Sequence, residues 1–191
     1  MLRRLNEDEQ RHICRFIRLL VTFARDNRHP MREVARLQIA YSLWHWTADA
    51  VDTETGAVVW DGIKHDVDFL FSSLAASWVA EDARDARAGR RLYEKYVLGL
   101  RHEHVVPRTL LAQRMIEEDM ELDCIYAFLS VSCKAVILTK EEYDLIQPRD
   151  RMPAGWNWGE NLYQRYIDAG CTNEFLVPPG NFPNELFFPE Y

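Results

Sequence analysis

Residues 6 to 48 constrain the fold most, because they spell out two helices and the turn between them. Asn6 followed by Glu9 has the spacing of a capping box, in which side chains and backbone amides satisfy one another at a helix start. Ile13, Phe16, Ile17, Leu20 and Ala24 then recur at helical spacing up to "DNRHP". Pro30 suits the first turn of a second helix, whose inner face is expected to carry Val34, Leu37, Tyr41 and Trp44. A connection this short folds the two helices back on each other as an antiparallel pair.

The rest of the chain mixes helices with a few short strands. "VDTETGAVVWDG" has turn chemistry at Gly56 and Gly62 around a β-prone run at 57 to 60. A third helix is expected on Val67, Leu70, Phe71, Leu74 and Trp78, followed by the charged stretch "AEDARDARAGRR", a solvated helix face. Two further helices follow in "TLLAQRMIEE" and "MELDCIYAFLS". "KAVILTKEEYDLI" reads as strand, cap and helix, since Thr139 and Glu142 repeat the capping-box spacing. "ENLYQRYIDAG" is a short helix stopped by Gly170. The fold class is therefore mainly α (α+β): a helical bundle with a small β-hairpin, built from about 102 to 106 and 135 to 138, in a ββα-like element. Three regions are expected: helices over 1–99, a strand-helix region over 100–170, and a Pro- and aromatic-rich tail over 171–191 that lies on the domain or grips a partner, a homodimer included.

Composition narrows the function. The 191 residues are 48% hydrophobic, enough for one substantial core. No apolar run approaches the ~20 residues of a membrane span. The first ten residues carry charges of both signs and no apolar leader segment, so the expected location is cytoplasmic. Cys14, Cys124, Cys133 and Cys171 form no close pair, which argues against a zinc knuckle or a disulfide framework. The net charge of −7 repels phosphates overall. Residues 1 to 50 nevertheless hold nine Lys and Arg against six Asp and Glu, and Arg11, Arg15, Arg18, Arg25 and Arg28 supply a local basic face.

The chemistry concentrates in "RHEHVVPRTLL", residues 101 to 111. Extended backbone puts alternate side chains on one face, so His102 and His104 point one way and Glu103 the other. Two imidazoles on one face suit metal ligation, or a ligand beside a base. Elsewhere, His45 between two tryptophans reads as a core-edge histidine, and His65, Asp66 and Asp68 as a helix cap or a cation site. "WNWGENLYQRY" offers aromatic side chains for stacking on bases, or for a core.

"HEHVVPRTLL", with "VILTKEEYDLIQ" downstream, resembles the HNH-type (ββα-metal) nucleases, in which a first-strand histidine activates water against a phosphodiester. It is also similar to a loose group of bacterial and phage proteins with EHVVP, TKEE, Met152-Pro153, and Arg165-Tyr166 before Gly170. The resemblance covers roughly 100 to 170. It implies metal-assisted phosphodiester hydrolysis by a divergent nuclease or toxin, with His104 as general base and Glu103 as a ligand for Mg²⁺, Mn²⁺ or Zn²⁺. It also implies Arg101 and Arg108 on the nucleic acid, and a helix partner at Glu142 or Tyr143. The sequence departs from the pattern there: no histidine follows His104, and a phenol at Tyr143 is a poor ligand. Glu141, Glu142 or His102 could fill the place; failing that, catalysis is lost. The second reading is a non-catalytic phage or mobile-element inhibitor of the anti-CRISPR type, which binds a host defence complex through an acidic surface. The partner is accordingly a nucleic acid or a protein of a nucleic-acid-processing complex.

Overall fold

The computed structural model describes residues 2–59, 70–77, 99–171 and 175–176. The chain divides into two compact units interleaved in sequence: 1–61, 104–134 and 149–152 in the first, and 62–103, 135–148 and 153–191 in the second. The fold is mainly α with small sheets.

In the first unit, α1 (Glu7–Asp26) starts as the sequence indicates. The Asn6 Oδ1 accepts the Glu9 amide at 2.9 Å, and the Glu9 carboxylate accepts the Asn6 amide at 2.8 Å. The Arg3 guanidinium also grips Glu9, at 2.8 and 2.9 Å. That ion pair, helped by the Asn6 amide, holds the Glu9 carboxyl down at about 2. Cys14, Ile17, Val21 and Ala24 form the buried stripe of α1.

Helix α2 (Met31–Ala48) follows Pro30 and packs against α1. It turns a different face inward from the one expected: Ala35, Ile39, Leu43 and Trp46 are buried, while Val34, Leu37 and Tyr41 are exposed. Both sides of α2 carry apolar residues at helical spacing, and packing selected the side with small Ala35, Ala40 and Ser42, which lets neighbouring backbones approach.

A second pair of helices, α3 (Arg108–Glu117) and α4 (Leu122–Ser132), covers this pair. Their contribution to the core includes Leu111, Met115, Ile125 and Leu129. The turn between them places Asp119 at φ 45°, a left-handed position that aspartate tolerates better than most residues. Asp119 accepts Arg18 at 2.6 Å and Arg25 at 3.1 Å, Arg18 also reaches Glu121 at 2.6 Å, and Arg11 reaches Asp123 at 2.9 Å. Three cations of the expected basic face of α1 are thus spent on acidic residues of this turn and of the start of α4. The unit's strands, β1 (Leu2–Arg4), β2 (Ala50–Asp52) and β3 (Val58–Val59), form an antiparallel sheet in the order β1-β2-β3. The Asp52 carboxylate accepts the Glu54 and Thr55 amides in the turn that Gly56 closes at φ 69°.

The second unit holds most of a four-stranded sheet of order β5-β6-β4-β7, made of β4 (Leu70–Ser72), β5 (Leu100–His104), β6 (Ala135–Thr139) and β7 (Phe175–Leu176). Strand β4 runs parallel to β6 and antiparallel to β7. Two expectations are corrected here. Residues 70–72, read as part of a third helix, are a strand, and only 73–77 are helical; Val67 and Trp78 lie outside the described residues. Strands β5 and β6 are sheet neighbours, yet α3 and α4 separate them in sequence, so they form no hairpin. Phe71 and Val136 to Leu138 are buried, as fits a central parallel pair covered on both faces. After β6 come α5 (Lys140–Leu145) and, further on, α6 (Gln164–Asp168), with Gly170 at φ 69° beyond it. The charged stretch after Val79, His65, Asp66, Asp68 and the tail beyond Leu176 lie outside the described residues.

Candidate functional site

Strand β5 presents its side chains in strict alternation: Leu100, His102 and His104 are buried, while Arg101 and Glu103 are partly exposed. The two histidines share a parity and the glutamate takes the other, as the extended backbone requires.

In the first unit, His104 is 4% exposed. Its Nε2 lies 2.8 Å from the Thr47 Oγ1 and 3.4 Å from the Leu43 carbonyl. With Nε2 protonated, the imidazole donates to the hydroxyl; in the other tautomer the hydroxyl donates to it. Trp44 leans on the ring at 5.4 Å and 38°. The Arg108 guanidinium covers Trp44 at 4.6 Å and donates to the Ala40 carbonyl at 3.2 Å. A general base needs its lone pair open to the proton it removes. Here that edge of the ring meets a threonine inside a helical core.

In the second unit, both candidate carboxylate ligands are already bound. Glu103 accepts from Arg165, whose side chain is 3% exposed. The same guanidinium lies 5.2 Å from the ring centroid of Tyr166, and burial pushes that phenol above the ordinary tyrosine range. Glu142 stands at the third position of α5, and one of its oxygens accepts three donors: the Ser72 hydroxyl at 2.6 Å, the Thr139 amide at 2.9 Å and the Thr139 hydroxyl at 3.1 Å. Ser72 in turn accepts the Ala75 amide at 3.1 Å, so Glu142 ties β4, the turn after it and the start of α5 together. The Cys171 thiol donates to the Glu142 carbonyl at 3.3 Å, and burial raises that thiol to about 11.

The remaining sequence candidates fall as follows. His102 is 7% exposed in the second unit. Arg101 donates to the Leu100 carbonyl at 3.0 Å. Tyr143 is half-buried on α5, and Glu141 is exposed. These donors do not fit a divalent cation: one carboxylate is neutralised by a guanidinium and the other is occupied by three donors. Among the described residues, no group of three or more His, Cys, Asp or Glu is placed to hold a metal ion. Trp156 and Trp158 meet edge to face at 5.1 Å and 68°, which gives no parallel ladder for stacked bases. A shallow cavity of about 310 Å³ between α2 and α3 is lined by His29, Arg32, Glu33, Arg36, Gln113 and Glu117. Arg36 pairs with Glu33 at 2.8 Å, and the neutral Gln113 amide donates to Glu117 at 2.7 Å.

Sequence reasoning passed over Thr47 and underrated Arg165. Nothing local marks Thr47. Arg165 had a signal, as the one cation of a five-residue helix beside an aromatic residue. No protein-family model, curated protein or solved structure matches the chain. Among the described residues, no helix is long and apolar enough to cross a membrane.

Proposed function

We propose that this protein works by binding a protein partner and not by cutting nucleic acid. The observation that carries this reading is the seat of His104, whose Nε2 is 2.8 Å from Thr47 within a 4%-exposed pocket of the helical core. Water and a phosphodiester both have to reach a general base, and the ring edge is already engaged. Glu103 and Glu142 support the reading in the same way, because each is consumed by groups of its own fold. The residues that resemble an HNH motif then serve the architecture, and binding falls to the surface. An inhibitor of a nucleic-acid-processing complex is one member of this class; a divergent nuclease is the competing reading.

The test is a cleavage assay of purified protein on duplex DNA, single-stranded DNA and RNA, each with Mg²⁺, Mn²⁺ and Zn²⁺, beside His104→Ala and Arg101→Ala. We expect no cleavage by any of the three and a lowered melting temperature for His104→Ala. Cleavage by the wild type that vanishes in a still-folded His104→Ala would overturn the reading in favour of the nuclease.

A further inference from the structure

The cavity between α2 and α3 lies wholly within the first unit. Its α2 side supplies His29, Arg32 and the pair Glu33 and Arg36, and its α3 side supplies Ile116 and Glu117 beside Gln113. Glu33 gives both of its oxygens to Arg36, at 2.8 and 2.5 Å, so that pair is closed. Glu117 accepts the Gln113 amide at 2.7 Å, a neutral donor that leaves its negative charge uncompensated. Arg32 and Glu117 are both exposed, and among the described residues neither has an ion-pair partner. Two packed helices thus turn an unpaired cation and an unpaired anion into one cavity, together with the apolar side chain of Ile116.

We infer that this cavity is a binding site for a dipolar ligand whose carboxylate and cation stand one long aliphatic side chain apart, as in lysine and arginine. Charge selects the class. A simple anion would be attracted by Arg32 and repelled by Glu117, and a simple cation the reverse; a ligand with both charges gains at both ends. The planar fork of Arg32 suits the carboxylate, Glu117 takes the cation, and Ile116 offers an apolar surface to the stem. Span agrees, because packed helices stand about 8–10 Å apart, a gap that such a ligand bridges between side chains on the two walls. Size agrees as well: about 310 Å³ is the liquid volume of roughly ten water molecules, room for one amino acid of this kind. The same chemistry is carried by a free basic amino acid and by the last residue of a chain that ends in lysine or arginine. The inference rests on α2 and α3 and does not depend on the role of the histidines of β5.

The test follows the Ile116 methyl signals of the full chain by ¹³C–¹H correlation during titration with L-arginine and with N-acetyl-glycyl-L-arginine, which stands for a chain end. At least one of the two should move these signals saturably, with a midpoint near about 1 mM. Saturation by the acetylated peptide alone assigns the site to a chain end, and saturation by L-arginine admits the free amino acid. Agmatine, which lacks the carboxylate, and citrulline, which lacks the side-chain charge, should bind at least about tenfold more weakly than L-arginine or its peptide. Arg32→Gln and Glu117→Gln should each weaken binding about tenfold while the melting temperature stays within about a degree of the wild type, since neither side chain has an ion pair to lose. Arg114→Gln, on α3 but outside the cavity lining, should leave binding unchanged. No saturable shift with either ligand up to about 20 mM, agmatine or citrulline binding as well as the arginine probes, or Arg32→Gln and Glu117→Gln binding like the wild type would each contradict the inference.

Discussion

The helical unit buries an imidazole against a threonine hydroxyl, whereas the mixed unit buries a guanidinium on a carboxylate and a second carboxylate under three donors. The first arrangement joins an imidazole to a hydroxyl inside an apolar core and needs no charge on either group. The second leaves a whole charge stranded when either partner goes, and a stranded charge costs far more than an unmade neutral bond. The two units therefore hold their buried polar side chains by different physics. His104 is tolerant, while Glu103 and Glu142 are demanding.

The sharpest way to break this contrast is to remove Arg165. Arg165→Met should destabilise the protein by about 3 kcal/mol in urea unfolding, because Glu103 is left partly buried without its cation. Arg165→Met combined with Glu103→Gln should recover more than half of that loss, which would mark the stranded charge as the main cost. His104→Ala comes next, at about 2 kcal/mol, since it removes one hydrogen bond and leaves a void beside Trp44. Thr47→Val keeps the volume and loses only the hydroxyl, for about 1 kcal/mol. Thr47→Val costing as much as Arg165→Met would erase the distinction between the units.

The two capping boxes sharpen the same point from the other side. Glu142→Gln should cost about 1–2 kcal/mol because its oxygen accepts three buried donors, whereas Asn6→Ala at the exposed box should cost about 1 kcal/mol. The smallest effect is electrostatic. Glu9 has its folded pKa depressed to about 2 from an ordinary 4.5, chiefly by Arg3, so its contribution is present above 4.5 and is lost as the pH falls toward 2. The melting-temperature gap between wild type and Glu9→Gln should therefore be small near neutral pH, constant down to about 4.5 and closed near 2. A gap that persists at the acid end would assign the contribution to something other than the ion pair.

What the sequence disclosed was local. The capping boxes at Asn6 and Thr139 and the alternation of His102 and His104 follow from spacing alone, and all appear in the structure. The inner face of α2 was not legible, because Val34, Leu37 and Tyr41 make as good a stripe as Ala35, Ile39 and Leu43 until α1 and α3 choose between them. Leu70 and Phe71 fit helical spacing yet pair in register with Val136 and Ile137, a strand contact set by a segment far away in the chain. The site obeys the same limit. The residues of "RHEHVVP" were visible, but the partners that define their roles, Thr47 on α2 and Arg165 on α6, meet them only through tertiary folding.

The most direct test of the central claim is to follow the imidazole nitrogens of His104 by ¹⁵N–¹H correlation while Zn²⁺ is added to folded protein, with His104→Gln to assign the signals. A ring locked on Thr47 should keep its shifts unchanged up to a large excess of metal. A Zn²⁺-dependent shift at its Nε2 that saturates at one equivalent would contradict the account and return the histidine to a metal site.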